Sequence, residues 1–114
     1  MKATWHPIPI YKARVKIVHE VSDIPPPRDG SNRVVAGFDA LCGPVGEAGS
    51  IYMWYDLDYV TLGTIAHECL HACNFILQRR GVLADRHNDE PDAYLLGYLV
   101  DHVVKVLRKR GATL

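Results

Sequence analysis

The chain has 114 residues, enough for one core and not for two, so a single domain over residues 1–114 is expected. Thirteen Lys and Arg against thirteen Asp and Glu leave no net charge, which removes the global field that draws a protein to nucleic acid or an anionic membrane. An apolar content of 48% with 23% charged residues is that of a soluble globular protein. No apolar run approaches the length that spans a bilayer, and the first residues lack a signal-peptide stretch. Neither a membrane nor a nucleic acid is therefore an expected partner. Cys42, Cys69 and Cys73 are too few for a disulfide framework and suit a reducing compartment, so the cytoplasm is the expected location.

Along the chain, residues 10–19 alternate. Tyr11, Ala13, Val15 and Ile17 fall on one side, Lys12, Arg14 and Lys16 on the other, the pattern of a strand with one wet face. Three prolines at 25–27 and the Asp29-Gly30 pair then predict a loop over 24–32. Residues 33–41 carry Val34, Val35, Phe38 and Leu41 and read as a second strand, interrupted by Gly37. Residues 42–49, with three glycines and Pro44, read as turns. The aromatic and β-branched run from Ser50 to Tyr55 reads as a third strand. Its short connections favour antiparallel neighbours.

The second half changes period. Leu62, Ile65, Ala66, Cys69, Leu70, Cys73, Ile76 and Leu77 recur at three- and four-residue steps, which predicts a helix over about 59–80. Asp58 or Thr61 suits its start and Gly81 its end. A second helix opens around the Asn88-Asp89-Glu90-Pro91 stretch and closes near Gly111. The expected fold class is α+β: a small antiparallel sheet of about three strands followed by two long helices.

Within the first of these helices lies His67-Glu68-Cys69-Leu70-His71, an HExxH pattern. Residues i and i+4 of a helix differ by about 40° of rotation and about 6 Å of rise. Both imidazoles therefore leave one face and can share one metal ion. Glu68 is turned about 100° from His67, beside the ion's open position rather than on it. That is the arrangement of a zinc hydrolase, with His67 and His71 as ligands and Glu68 as general base.

A catalytic zinc takes three protein ligands. Leu77 stands where one large peptidase class carries its next histidine. Two candidates remain: Glu90, in the first turn of the second helix, and His87, in the loop before it. Glu90 is preferred because a helix start places it rigidly. Tyr94, one turn further on, is the candidate donor for a tetrahedral oxyanion. The strand from Ile51 to Tyr55, taken as a sheet edge, is the candidate seat for an extended substrate.

The HExxH stretch, continued by Glu90-Pro91-Asp92-Ala93-Tyr94-Leu95-Leu96-Gly97-Tyr98-Leu99, resembles the small metallopeptidases encoded in phages and prophages. It is more distantly similar to minimal gluzincins, in which a glutamate opens the next helix in a Glu-x-x-Ala context. The resemblance covers about residues 58–105. It implies a zincin-like fold, Zn2+ held by His67, His71 and Glu90, Glu68 as base, a peptide or protein substrate, and a host cytoplasm. His87 keeps open a kinship with DNA-associated metallopeptidases of the SprT type, which use a third histidine. A catalytically idle protein-binding module on the same metal is the other alternative. His6, His19 and His102 carry no spacing signal, and no role is expected of them. The basic runs at 78–80 and 105–110 sit at helix C-termini, where cations complement the macrodipole.

Overall fold

The structure, a computed structural model, describes residues 3–25, 37–46 and 49–114. Its elements in chain order are β1 (Trp5–Ile8), β2 (Ala13–Val18), a short 3₁₀ turn (Val21–Asp23), β3 (Ala40–Val45), β4 (Ser50–Tyr55), α1 (Leu62–Arg79) and α2 (Glu90–Lys109). The class is α+β. The sheet has four strands in the order β1-β2-β4-β3, and it is mixed: β1 with β2 and β3 with β4 are antiparallel, while β2 and β4 run parallel. The expected sheet of about three antiparallel strands is corrected on both counts. The long chain passage between Val18 and Ser50 is what allows two parallel neighbours.

The alternation in β2 places Ala13, Val15 and Ile17 in the core and leaves Arg14 exposed, as expected. β4 is buried at all six positions. Ile51, Met53 and Tyr55 pack with the helices, whereas Tyr52 and Trp54 join Val18 and Ile24 on the opposite face. A strand covered on both faces reads as an unbroken apolar run. β4 is therefore internal, paired at Met53 with Ile17 on one side and Cys42 on the other, and its expected place at the edge is a correction. Among the described residues, the outer strands of the sheet are β1 and β3.

β3 runs through Cys42, Gly43 and Pro44, which the sequence suggested were turn. A proline is accommodated in an edge strand when its missing N–H faces away from the ladder, and Pro7 in β1 and Pro44 in β3 each stand in one. A Cβ on Gly43 would lie 3.1 Å from the Tyr52 ring, so the small residue is required by packing. Of the strand expected at 33–41, residues 33–36 lie outside those described and 40–41 begin β3. β1 itself, short and interrupted by Pro7, was not anticipated.

Both helices cover one face of the sheet. The Thr61 hydroxyl caps α1 by accepting from the Thr64 N–H at 3.1 Å. Both helices end in the same Schellman arrangement. Val82 N–H reaches the Leu77 carbonyl at 2.9 Å and Ala112 N–H the Leu107 carbonyl at 3.0 Å. Gly81 and Gly111 take the left-handed conformation this requires, at φ +73 and +102. α1 buries Ile65, Cys69, Ala72, Cys73, Ile76 and Leu77, and α2 buries Leu95, Leu99, Val103 and Leu107. Each buried Leu or Ile contributes roughly 1.5–3 kcal/mol of transfer free energy. α1 packs on α2 and also lies along edge strand β3. Among the described residues no helix is long and apolar enough to cross a membrane.

Candidate metal centre

α1 turns Ile65, Cys69 and Ile76 to the core, so His67 and His71, on the far side of the helix, are exposed. Their Nε2 atoms approach to 3.2 Å, with the rings edge to face at 77°. Two imidazoles bound tetrahedrally to zinc at about 2.0–2.1 Å need their nitrogens about 3.3 Å apart. The separation is close to that bite, and it is also that of an N–H···N hydrogen bond between the two rings.

Glu68 sits about 100° around the helix. It is only 8% exposed, with Oε1 3.9 Å from His67 Nε2. Burial raises its pKa, and the two imidazoles pull the other way. A carboxylate deprived of water is a stronger base than a free one, and this one stands beside the imidazole pair.

Under the carboxylate lies a group of neutral polar side chains. The carboxylate's charge weighs against ionisation of Cys42 from β3 and Cys69 from α1. Burial pushes Cys69 and Cys73 up to about 12 and Cys42 higher still. The thiols stay protonated and behave as small apolar residues. The Tyr55 hydroxyl is buried here without reaching hydrogen-bonding geometry. The Cys69 thiol beside it weighs on its ionisation but is a weak partner.

The remaining candidates lie elsewhere. Glu90 opens α2, exposed to solvent. His87 lies in the preceding turn, where its N–H donates to Asp85 Oδ1 at 2.9 Å. Among the described residues no three His, Cys, Asp or Glu side chains gather into a group able to hold a metal ion. Neither Glu90 nor His87 therefore stands with the pair in this arrangement. Asp92 is the α2 acid that faces α1, lining a hollow with Asn74, Leu77 and Gln78. Tyr94, two residues and about 200° further round the helix, is 77% exposed. It leans on the β1–β2 turn beside Ile10, Tyr11 and Tyr98. It is not brought to the histidines.

A second histidine cluster has no counterpart in the sequence reading. His6 on β1 stacks on His102 of α2 with ring centroids 3.8 Å apart and planes at 21°. His6 Nε2 also lies 2.6 Å from Tyr98 Oη. Partners more than ninety residues apart leave no local spacing to read. The only available signal was the position of His102 and Tyr98 one turn apart on α2.

The β1–β2 turn beside this cluster is strained. Ile10, a β-branched residue, has φ +62, and Lys12 has φ +48. Arg80 at the end of α1 braces it, donating to the carbonyls of Tyr11 at 2.6 Å and Lys12 at 3.2 Å. No family model, curated protein or solved structure is matched by this chain.

Proposed function

We propose that the chain is a zinc-dependent peptide hydrolase of the cytoplasm, in which His67 and His71 hold the ion and Glu68 is the general base. The observation that carries this reading is the 3.2 Å approach of the two Nε2 atoms beside a carboxylate whose basicity is raised by burial. Zinc, when bound, supplies Lewis acidity that polarises a peptide carbonyl and acidifies water toward about pH 7. Glu68 takes the proton of the attacking water and passes it to the leaving amine. Its partial burial keeps the carboxyl out of competition with bulk solvent.

Glu90 is the third ligand in this proposal, with His87 as its rival. For either to join, the 80–90 connection or the first turn of α2 must move toward His71. An extended substrate takes the outer edge of β3, alongside α1 and the Glu68 side of the helix. Pro44 offers no donor, so the pairing N–H groups come from the first half of the strand, Ala40 and Cys42. The proposal gives Tyr94 no role, because it faces the β1–β2 turn.

Glu68→Gln tests the reading. The variant should keep its zinc and lose peptide hydrolysis. Hydrolysis surviving in Glu68→Gln rules the base out. A second reading, an idle protein-binding module, is favoured by the absence of a gathered third donor among the described residues. It is the correct one if the zinc-loaded wild-type protein cleaves no peptide or protein offered.

A further inference from the structure

We propose that the hollow between the C-terminal half of α1 and the start of α2 binds an arginine side chain of the substrate peptide, with Asp92 taking its charge. The word substrate rests on the peptide-hydrolase reading, but the binding itself requires no zinc. The hollow has a volume of about 430 Å³, toward the lower end of the range that ligand pockets occupy. Leu77, Val82 and Leu83 are among its apolar walls, and Asn74, Gln78 and Asp92 are its polar groups. Leu83 is 85% exposed, so apolar surface stands open to solvent at this rim. An arginine side chain is divided in the same way, into an apolar stem and a planar charged head.

Charge selects the occupant. Among the described residues Asp92 is the one charged side chain on these walls, and it makes no ion pair. The nearby cations of α1 are engaged elsewhere. Arg79 lies against Gly49 and lines a separate hollow with Pro44 and Phe75, and Arg80 donates to the Tyr11 and Lys12 carbonyls. The helix dipole accounts for acids at 90 and 92 alike, yet only Asp92 is turned into a hollow. A guanidinium offers five donors, two of which match a carboxylate side by side. The amide oxygens of Asn74 and Gln78 are acceptors for the rest.

The position of the hollow ties it to the histidines. Asn74 and Gln78 follow His67 by seven and eleven residues, which puts both within about 20° of it around α1. The row His67, His71, Asn74, Gln78 thus runs along one helix face into the hollow, with Asn74 about 4.5 Å beyond His71 along the axis. An extended peptide advances about 3.3 Å per residue. A peptide bond at the histidine pair therefore carries a side chain one to three residues away over the hollow.

The test uses capped alanine pentapeptides that carry arginine, citrulline or leucine at the centre. Binding to the zinc-free full chain is followed by NMR through the side-chain amide resonances of Asn74 and Gln78. Saturable shifts with the arginine peptide are expected, at an affinity at least about fivefold above the other two. Citrulline keeps the length and the planar head and loses the charge. Asp92→Asn should bring the arginine peptide down to the level of citrulline. Gln78→Lys, at an exposed position of α1, puts a cation into the hollow and should weaken the arginine peptide by a similar factor, which serves if Asp92→Asn does not fold. No saturable shift with arginine, equal affinity for arginine and citrulline, a preference for leucine, or binding unchanged in the folded variants would each overturn the proposal. A zinc-loaded protein that binds the arginine peptide and leaves it uncut contradicts the hydrolase reading alone and upholds the occupant of the hollow.

Discussion

His67 and His71 meet edge to face at the surface of one helix, nitrogen to nitrogen at 3.2 Å. His6 and His102 meet ring on ring at 3.8 Å, joining a strand to a helix. In the first the two Nε2 atoms approach each other directly, at a separation that one shared proton or one cation can bridge. In the second the ring planes are nearly parallel and the in-plane lone pairs do not converge, so the contact is one of packing. The difference comes from what sets each distance. A helical repeat fixes the first pair regardless of the rest of the fold, whereas tertiary packing fixes the second. A pair set by helical spacing is therefore local, and a stacked pair reports on the joint it holds.

The contrast can be broken most sharply at Glu68. Glu68→Gln removes the base and should lower peptide hydrolysis by about 10²–10⁴-fold, the usual weight of general-base catalysis. His6→Gln should leave turnover within about twofold, since it belongs to the packing pair. Steady-state rates on one peptide substrate check both. Next in size is metal affinity. His71→Ala should weaken zinc binding by at least about 100-fold, because one donor of a chelate cannot replace two. His102→Gln should not change it. Equal losses in both variants would erase the distinction between the pairs.

The third ligand gives a smaller effect. Glu90→Ala should lower zinc affinity by about 10–100-fold and His87→Ala by less than twofold. Zinc competition against a chromophoric chelator measures both, and the reverse result would transfer the role to His87. The smallest effect belongs to the stacked pair. His102 has a folded-state pKa of about 4, below the ordinary value of about 6.5 for histidine. A lowered histidine stabilises the fold fully above about pH 6.5. That contribution is lost as pH falls from there toward 4, because the unfolded chain then binds the extra proton. Partial exposure of the ring limits the effect to a few degrees of Tm. His102→Gln should flatten the fall in Tm between pH 6.5 and 4, which thermal melts across that window will show.

What the sequence disclosed follows the same division between local and distant causes. α1, α2, the Thr61 cap, the two closing glycines and the alternation of β2 are all written in short-range spacing, and all were readable. So was the His67–Glu68–His71 constellation. Ser50–Tyr55 was readable as a strand but not as an internal one, because an apolar run does not name its neighbours. Gly43 and Pro44 carried turn chemistry, yet the edge of the sheet tolerates the proline and the Tyr52 ring requires the glycine. Glu90 and Tyr94 were placed correctly on α2. Which way they face depends on how that helix is rotated against α1, and Asp92 is the acid turned toward it. The His6 stack joins opposite ends of the chain and had no sequence signature.

The central claim is that the His67–His71 pair is a metal chelate rather than a hydrogen-bonded surface pair. Zinc binding by isothermal titration calorimetry, wild type against the His67→Ala/His71→Ala double variant, tests it most directly. The account predicts one zinc per wild-type chain and none in the variant, with both proteins folded. Equal zinc binding by the two proteins, or none by the wild type, would contradict it.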